Sequence, residues 1–213
     1  MASEAGLDRP IRVLIVDDHP FLRDGIATLI ERQPDMAVAG EAGDGSEGIA
    51  RFAELAPDVV LMDLQMPGIS GLEAIEAIRG RSPDARILVL TTYPGDAQVV
   101  RCIQAGAAGY LLKNGIRKEL LDAIRMVHTG RPALSPEIVH DLAAHALDEP
   151  LSDRELEVLR LVAEGHANKE IAWRLDLSID TIKAHLKRAF EKLGVDDRTH
   201  AVTVAIRRGF IER

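Results

Sequence analysis

The chain has 213 residues, 28% of them charged, with 34 Asp and Glu against 26 Lys and Arg and a formal net charge of −8. That length fits one large domain or two smaller ones with packed cores. Cys102 is the only cysteine, which excludes an internal disulfide and a cysteine zinc cluster. No apolar run approaches the roughly 20 residues that span a bilayer. The first ten residues lack the charged-then-apolar order of a signal peptide, so the expected compartment is the cytoplasm, with no membrane partner.

Taken in chain order, residues 11 to 130 alternate between apolar strands and amphipathic helices. Strands are expected near 11 to 17, 36 to 41, 58 to 63, 86 to 91 and 109 to 112, and helices near 20 to 32, 45 to 55, 71 to 80, 96 to 105 and 116 to 129. Cys102 is read as a small residue of the fourth helix. Gly130 ends the fifth helix and Pro132 follows it. Strands that are apolar throughout imply a parallel sheet covered by helices on both faces. Between 131 and 150 lies a linker in which Ser135 can cap a helix, Pro136 suits its first turn, and Ile138, Leu142 and Ala146 recur every four residues. A mobile tether fits that stretch equally well.

A second domain is expected to start at Leu151. Ser152 and Glu155 form a capping box, with Leu151 and Leu156 placed as its hydrophobic staple. Gly165 stops that helix, and a short one follows at about 168 to 175. Ser178 caps a third helix, with Leu177 and Ile182 as staple, and Gly194 ends it. A fourth runs from about 198 to 208. Charge divides along the chain: residues 1 to 150 hold 14 Lys and Arg against 23 Asp and Glu, whereas residues 151 to 213 hold 12 against 11. The acidity therefore belongs to the first domain.

Apolar strands in that first domain end in chemistry-bearing groups. Val13 to Val16 runs into Asp17 and Asp18, Val59 to Met62 into Asp63, Ile87 to Leu90 into Thr91 and Thr92, and Tyr110 to Leu112 into Lys113. In doubly wound sheets ligands bind outside the carboxyl ends of the strands, which gathers these groups into one crevice. Three carboxylates there repel one another, and a hard divalent cation preferring oxygen, Mg2+ with several waters, is the expected compensation. Lys113 can hold a phosphoryl oxygen, Thr91 can donate to another, and Asp63 is placed to attack phosphorus.

Asp17 and Asp18, Asp63, Met66-Pro67-Gly68, Gly71, Thr91, Tyr110 and Lys113, in that order, resemble the receiver domain of a two-component response regulator. The resemblance implies a flavodoxin-like fold with five parallel strands in the order 2-1-3-4-5. It implies that Asp63 takes the phosphoryl group from a sensor histidine kinase. Mg2+ would be bound by Asp18, Asp63 and the Gln65 backbone carbonyl, with Asp17 acting largely through water. Thr91 would be the switch, Tyr110 the aromatic that reorients with it, and Gln65 and Thr92 the positions that tune dephosphorylation. Many receivers carry a proline in a cis bond after the lysine; Asn114 stands there, which puts the cis geometry in doubt.

In the third helix of the second domain, Ile182, Leu186, Ala189, Phe190 and Leu193 share one face, and Lys183, Ala184, Lys187 and Arg188 project away from it. A short helix, a tight turn and a basic helix is the arrangement that enters a DNA major groove. The segment Leu151 to Glu155, Val158-Leu159, Gly165, Asn168 to Ala172, Ser178, Thr181, Lys183, His185, Leu193-Gly194-Val195, Arg198-Thr199 and Ala201 resembles the LuxR-type helix-turn-helix. With the receiver, this implies a member of the NarL/FixJ-like class. Lys183, Ala184 and Lys187 are expected to reach base edges, and Lys169, Thr181 and Arg188 phosphates. His185 is read as a packed or backbone-contacting residue, not a metal ligand, and Trp173 as part-exposed.

The domains are thus a receiver at 10 to 130, a linker at 131 to 150 and a DNA-binding domain at 151 to 213, and the expected function is a phosphorylation-dependent transcription regulator, not an enzyme. Its expected partners are a histidine kinase, an inverted-repeat operator and a second copy of the chain. A phosphatase with an Asp nucleophile would want a second Asp two residues after Asp63, where Gln65 stands. The remaining rival is a phosphorylation-gated interaction protein that binds no DNA.

Overall fold

The computed structural model describes residues 9–92, 95–114 and 116–211; the N-terminal stretch read above for a signal peptide lies, up to residue 8, outside them. The chain forms two compact units, one made of the described residues of 1–92 and 100–138, the other of those of 93–99 and 139–213.

In the first unit the strands are β1 (Ile11–Val16), β2 (Met36–Ala42), β3 (Val59–Asp63), β4 (Ile87–Thr91), β5 (Gly109–Leu112) and β6 (Ala133–Leu134). The helices that alternate with the strands are α1 (Pro20–Glu31), α2 (Gly45–Leu55), α3 (Gly71–Arg81), α4 (Asp96–Gln104), whose residues 96–99 are counted with the second unit, and α5 (Ile116–His128). All pairings are parallel, in the order β2-β1-β3-β4-β5-β6. The expected five-stranded order holds, and a sixth strand is added at the β5 edge. Ala133 pairs with Gly109 and Leu134 with Tyr110. Two residues after a proline carry no strand pattern, so this strand forms only because the β5 edge offers unpaired backbone groups.

The β3 and β4 strands are buried throughout and β1 at every position but Arg12, as a parallel sheet between helices requires. Asp44 caps α2 by accepting from the Glu47 N–H, and Ser70 and Glu73 form a full capping box on α3. Such a cap stabilises a helix by about 1 kcal/mol. Cys102 is buried in α4, where burial pushes its thiol up to about 12 and leaves it unreactive.

Residues 131–150, expected to be a linker, contain α6 (Pro136–Ala144), so the helical reading is the observed one. Its details differ from expectation. Ile138 is buried, but Ala146 lies beyond the helix and is exposed. Ser135 does not cap with its side chain: its hydroxyl is buried and meets no partner among the described residues, while its N–H donates to the Tyr110 carbonyl at 3.2 Å. Pairing with the sheet has set the backbone here and turned the hydroxyl inward.

The second unit holds α7 (Asp153–Ala163), α8 (Asn168–Arg174), α9 (Ile179–Leu193) and α10 (Arg198–Arg207). Its core is built from Val158, Leu159, Ile171, Ile182, Leu186, Ala189, Leu193, Ala201, Val204 and Ala205, with Leu156, Leu177 and Phe190 packed against it. Gly194 takes the left-handed conformation that ends α9. The expected capping box is present: Ser152 N–H donates to Glu155 at 2.8 Å, and Glu155 N–H to Ser152 Oγ at 3.3 Å. Also inside this unit, Arg208 holds Asp96 through two nitrogens at 3.0 and 2.8 Å and reaches Asp148 at 2.9 Å.

Candidate acidic crevice and nucleic-acid interface

The topology places Asp17 just past β1, Asp63 at the end of β3, Thr91 at the end of β4 and Lys113 just past β5, at one end of the sheet. Asp17 and Asp63 are 1% and 2% exposed, so neither carboxylate is a surface group. Lys113 Nζ bridges them, 2.8 Å from Asp17 and 2.7 Å from Asp63. Burial pushes the Asp63 carboxyl above its ordinary range, and Lys113 pulls against that shift. Burial likewise disfavours charge on Lys113, but its bonds to Asp17 and Asp63 outweigh it and raise the ammonium pKa.

Asp18 is partly exposed beside them. One oxygen from each of Asp17, Asp18 and Asp63, together with a His19 nitrogen, all lie within 4.8 Å of one another. Three carboxylates that converge so closely, two of them withdrawn from water, suit a small hard cation. His19 was missed by the sequence reading; its only signal was its place directly after the acidic pair.

The turn after β3 depends on Gly71. A Cβ there would come 2.0 Å from the Asp63 carbonyl oxygen, so any side chain would displace the residue that carries the central carboxylate. The Gln65 N–H donates to Asp63 Oδ1 at 3.4 Å, while the Gln65 and Thr92 side chains are exposed at the rim. Tyr110 is fully buried. Burial raises its phenol pKa, and the nearby Thr91 hydroxyl opposes this in part. The Lys113–Asn114 peptide is trans.

In the second unit α8 and α9 are joined by a turn in which Asp176 adopts a positive φ of 53°. Aspartate tolerates that conformation better than most residues, so no glycine is needed. Arg198 ties the start of α10 to α8 through Asn168 Oδ1 at 3.1 Å and through the His166 carbonyl. On α9, Lys183, Ala184, Lys187 and Arg188 are exposed, as is Lys169 on α8. Thr181 is half-buried and shares a hydrogen bond of 2.8 Å with Ser178. Lys183 pairs with Asp180 at 3.0 Å and Lys187 with Glu191 at 3.8 Å, both on the surface, where such pairs are weak and easily exchanged for phosphate or base contacts. His185 is half-buried, and Trp173 is 83% exposed, more than expected.

A doubly wound sheet with an acidic, lysine-bridged crevice at its strand ends, followed by a helix-turn-helix with a basic outer face, defines a receiver switch joined to a DNA reader. The comparisons agree with both halves. Residues 13–125 match the response regulator receiver domain, and residues 149–205 match the bacterial regulatory proteins of the luxR family. The chain is 45% identical over 205 residues to the transcriptional regulatory protein LiaR of Bacillus subtilis, covering 92% of this chain and 97% of that one. It is 38% identical over 207 residues to the response regulator protein VraR of Staphylococcus aureus, covering 95% and 99%. Among solved structures, RcsB of Salmonella enterica serovar Typhimurium, bound to promoter DNA in the presence of the phosphomimetic BeF3−, matches with 32% identity and a TM-score of 0.74 over 92% of this chain and 98% of that one.

The chain belongs to the two-component response regulators of the NarL/FixJ-like class, with a receiver and a LuxR-type helix-turn-helix. It is a DNA-binding transcription regulator activated through phosphorylation of its receiver, not an enzyme. No helix among the described residues is long and apolar enough to cross a membrane.

Proposed function

We propose that the protein acts in the cytoplasm, that Asp63 is the phosphoacceptor and that a partner sensor histidine kinase is the donor. The observation that carries this is the meeting of Asp17 and Asp63 on Lys113, in a pocket that leaves Asp63 nearly sealed from water. An Asp63 oxygen attacks phosphorus, the bond from phosphorus to the donor's histidine nitrogen breaks, and that nitrogen departs with the bonding pair. Lys113 holds a phosphoryl oxygen and Thr91 donates to another. Mg2+, held by Asp18, Asp63 and the Gln65 carbonyl with Asp17 acting through water, would neutralise charge on the transferring group. The observed donors are three oxygen-bearing acids within reach of one another, which is the set such an ion prefers.

The acyl phosphate then draws Thr91 and Tyr110 into a new arrangement, Gln65 and Thr92 set its lifetime, and a dimer forms on an inverted-repeat operator. The receiver comprises residues 10–130, the linker 131–150 and the DNA-binding domain 151–213. Lys183, Ala184 and Lys187 read base edges, and Lys169, Thr181 and Arg188 hold phosphates. RcsB is bound to DNA in solved structures, in one of them as two dimers on two parallel DNAs, which supports pairing as the working form.

The experiment is phosphate labelling with a small acyl-phosphate donor and Mg2+, followed by operator binding. Asp63→Asn is expected to abolish labelling and the gain in DNA affinity. Full labelling of that variant would overturn the assignment.

A further inference from the structure

Ile179 is the first residue of α9 and is 42% exposed, although Ile182 and Leu186 on the same helix are buried in the domain core. Neither helix formation nor packing calls for an isoleucine there. A β-branched residue lowers helix propensity, and the apolar pair that brackets the cap, Leu177 and Ile182, is already in place in the core. The first turn is nonetheless firmly set. Ser178 Oγ accepts from the Thr181 N–H at 3.0 Å and meets the Thr181 hydroxyl at 2.8 Å. The Cα–Cβ direction of Ile179 is therefore fixed by the cap, and a β-branched side chain is stiff about χ1.

Two lysines share that direction. A step of four residues along a helix turns by only about 40°, so Ile179, Lys183 and Lys187 form one row, with a rise of about 6 Å from each member to the next. All three are exposed. In a helix-turn-helix the N-terminal residues of the second helix reach the base edges, which makes Ile179 the leading member of this row. An isoleucine set against the hydrogen-bonding groups of a base edge would only desolvate them. The apolar group that distinguishes one base pair from another in the major groove is the thymine C5 methyl. Covering it removes apolar surface of both partners from water.

We propose that Ile179 is a specificity-determining contact that reads a thymine through its C5 methyl, one helical turn ahead of the base read by Lys183. This rests on the reading of Lys183 and Lys187 as base contacts. The lysines bring charge and donors, which suit guanine. Ile179 adds an apolar preference that salt does not screen.

The test uses the full chain, phosphorylated with a small acyl-phosphate donor and Mg2+, and the DNA site it selects from a random pool. Each thymine of that site is replaced in turn by deoxyuridine, which lacks only the methyl group, and binding is measured for the native chain and for Ile179→Ala. Alanine is the best helix former, so the variant keeps α9. At one thymine of the half-site the native chain is expected to lose about threefold to fivefold in affinity, while Ile179→Ala binds the thymine and deoxyuridine forms alike. Every other replacement should act equally on both chains. Ile179→Val, which keeps a branched apolar side chain, should retain most of the coupling. A selected site without thymine, an equal loss in both chains at every thymine, or an Ile179→Ala chain that binds the site as tightly as the native one would each overturn the proposal. Lys183→Ala separates this from the underlying reading. Loss of discrimination between the site and random DNA in that variant keeps α9 in the groove even where no thymine couples to Ile179, whereas undiminished discrimination would remove both.

Discussion

Lys113 is a positive charge set between two nearly sealed carboxylates, so its removal is expected to have a large effect on the receiver. Lys113→Ala would leave Asp17 and Asp63 facing each other without compensation, and breaking a buried pair in this way costs about 3–5 kcal/mol. Because the folded-state pKa of Lys113 is raised, its contribution is fully present below the unfolded lysine pKa and is lost as pH rises through the folded value. Urea melts of the full chain at neutral pH should therefore show a large deficit in Lys113→Ala. Millimolar Mg2+ should recover part of it, since the cation takes over the neutralising role. A deficit indifferent to Mg2+ would count against the placement of the ion between these acids.

At the scale of elements, α7 and α9 are joined by a charge that is almost wholly buried. Glu155 is 3% exposed; burial acts to raise its pKa, but bonds from Ser152 and Lys192 outweigh this and hold the carboxyl below its usual range. Lys192 meets Glu155, Glu149 and the Pro150 carbonyl, each at 3.0 Å. A depressed pKa gives stability above the unfolded carboxylate value that disappears as pH falls through the folded one. Glu155→Gln is therefore expected to lose about 1–3 kcal/mol at pH 7, with the gap closing in melts run on the acidic side of the ordinary glutamate pKa.

The outer face of α9 makes a separable prediction. Lys183→Ala and Lys187→Ala should each lower discrimination between operator and random DNA by about 1–3 kcal/mol. Arg188→Ala should weaken both equally and reduce the salt slope by about 1. Binding series at several salt concentrations distinguish the two behaviours.

For the whole molecule, one short recognition helix reads only a few base pairs, so useful specificity calls for two copies on half-sites about 10 bp apart. Val202 and Ile206 remain half-exposed on α10, while Ala205 beside them is fully buried in the domain core. That leaves a narrow apolar strip for pairing. Sedimentation of the phosphorylated chain with operator DNA is expected to show a dimer, and specific binding as a monomer would refute it.

Local chemistry determined most of the architecture in advance. Unbroken apolar runs could only be buried strands, Ser152 with Glu155 could only begin a helix, and the order of Asp17, Asp63, Thr91 and Lys113 along successive strands pointed to one crevice. The strand and cap signals each lie within a few residues of sequence, and the crevice needed only the order of the strands. The features decided by tertiary structure have no such local signature. Ala133 and Leu134 became a strand because β5 had a free edge, and the Ser135 hydroxyl turned inward as a consequence. His19 reads as an ordinary residue before a helix until the turn after β1 brings its ring against Asp18. Glu155 reads as a surface cap until Lys192, 37 residues later, closes over it. Burial and the pairing of charges depend on which distant segments meet, and that is settled only when the chain is packed.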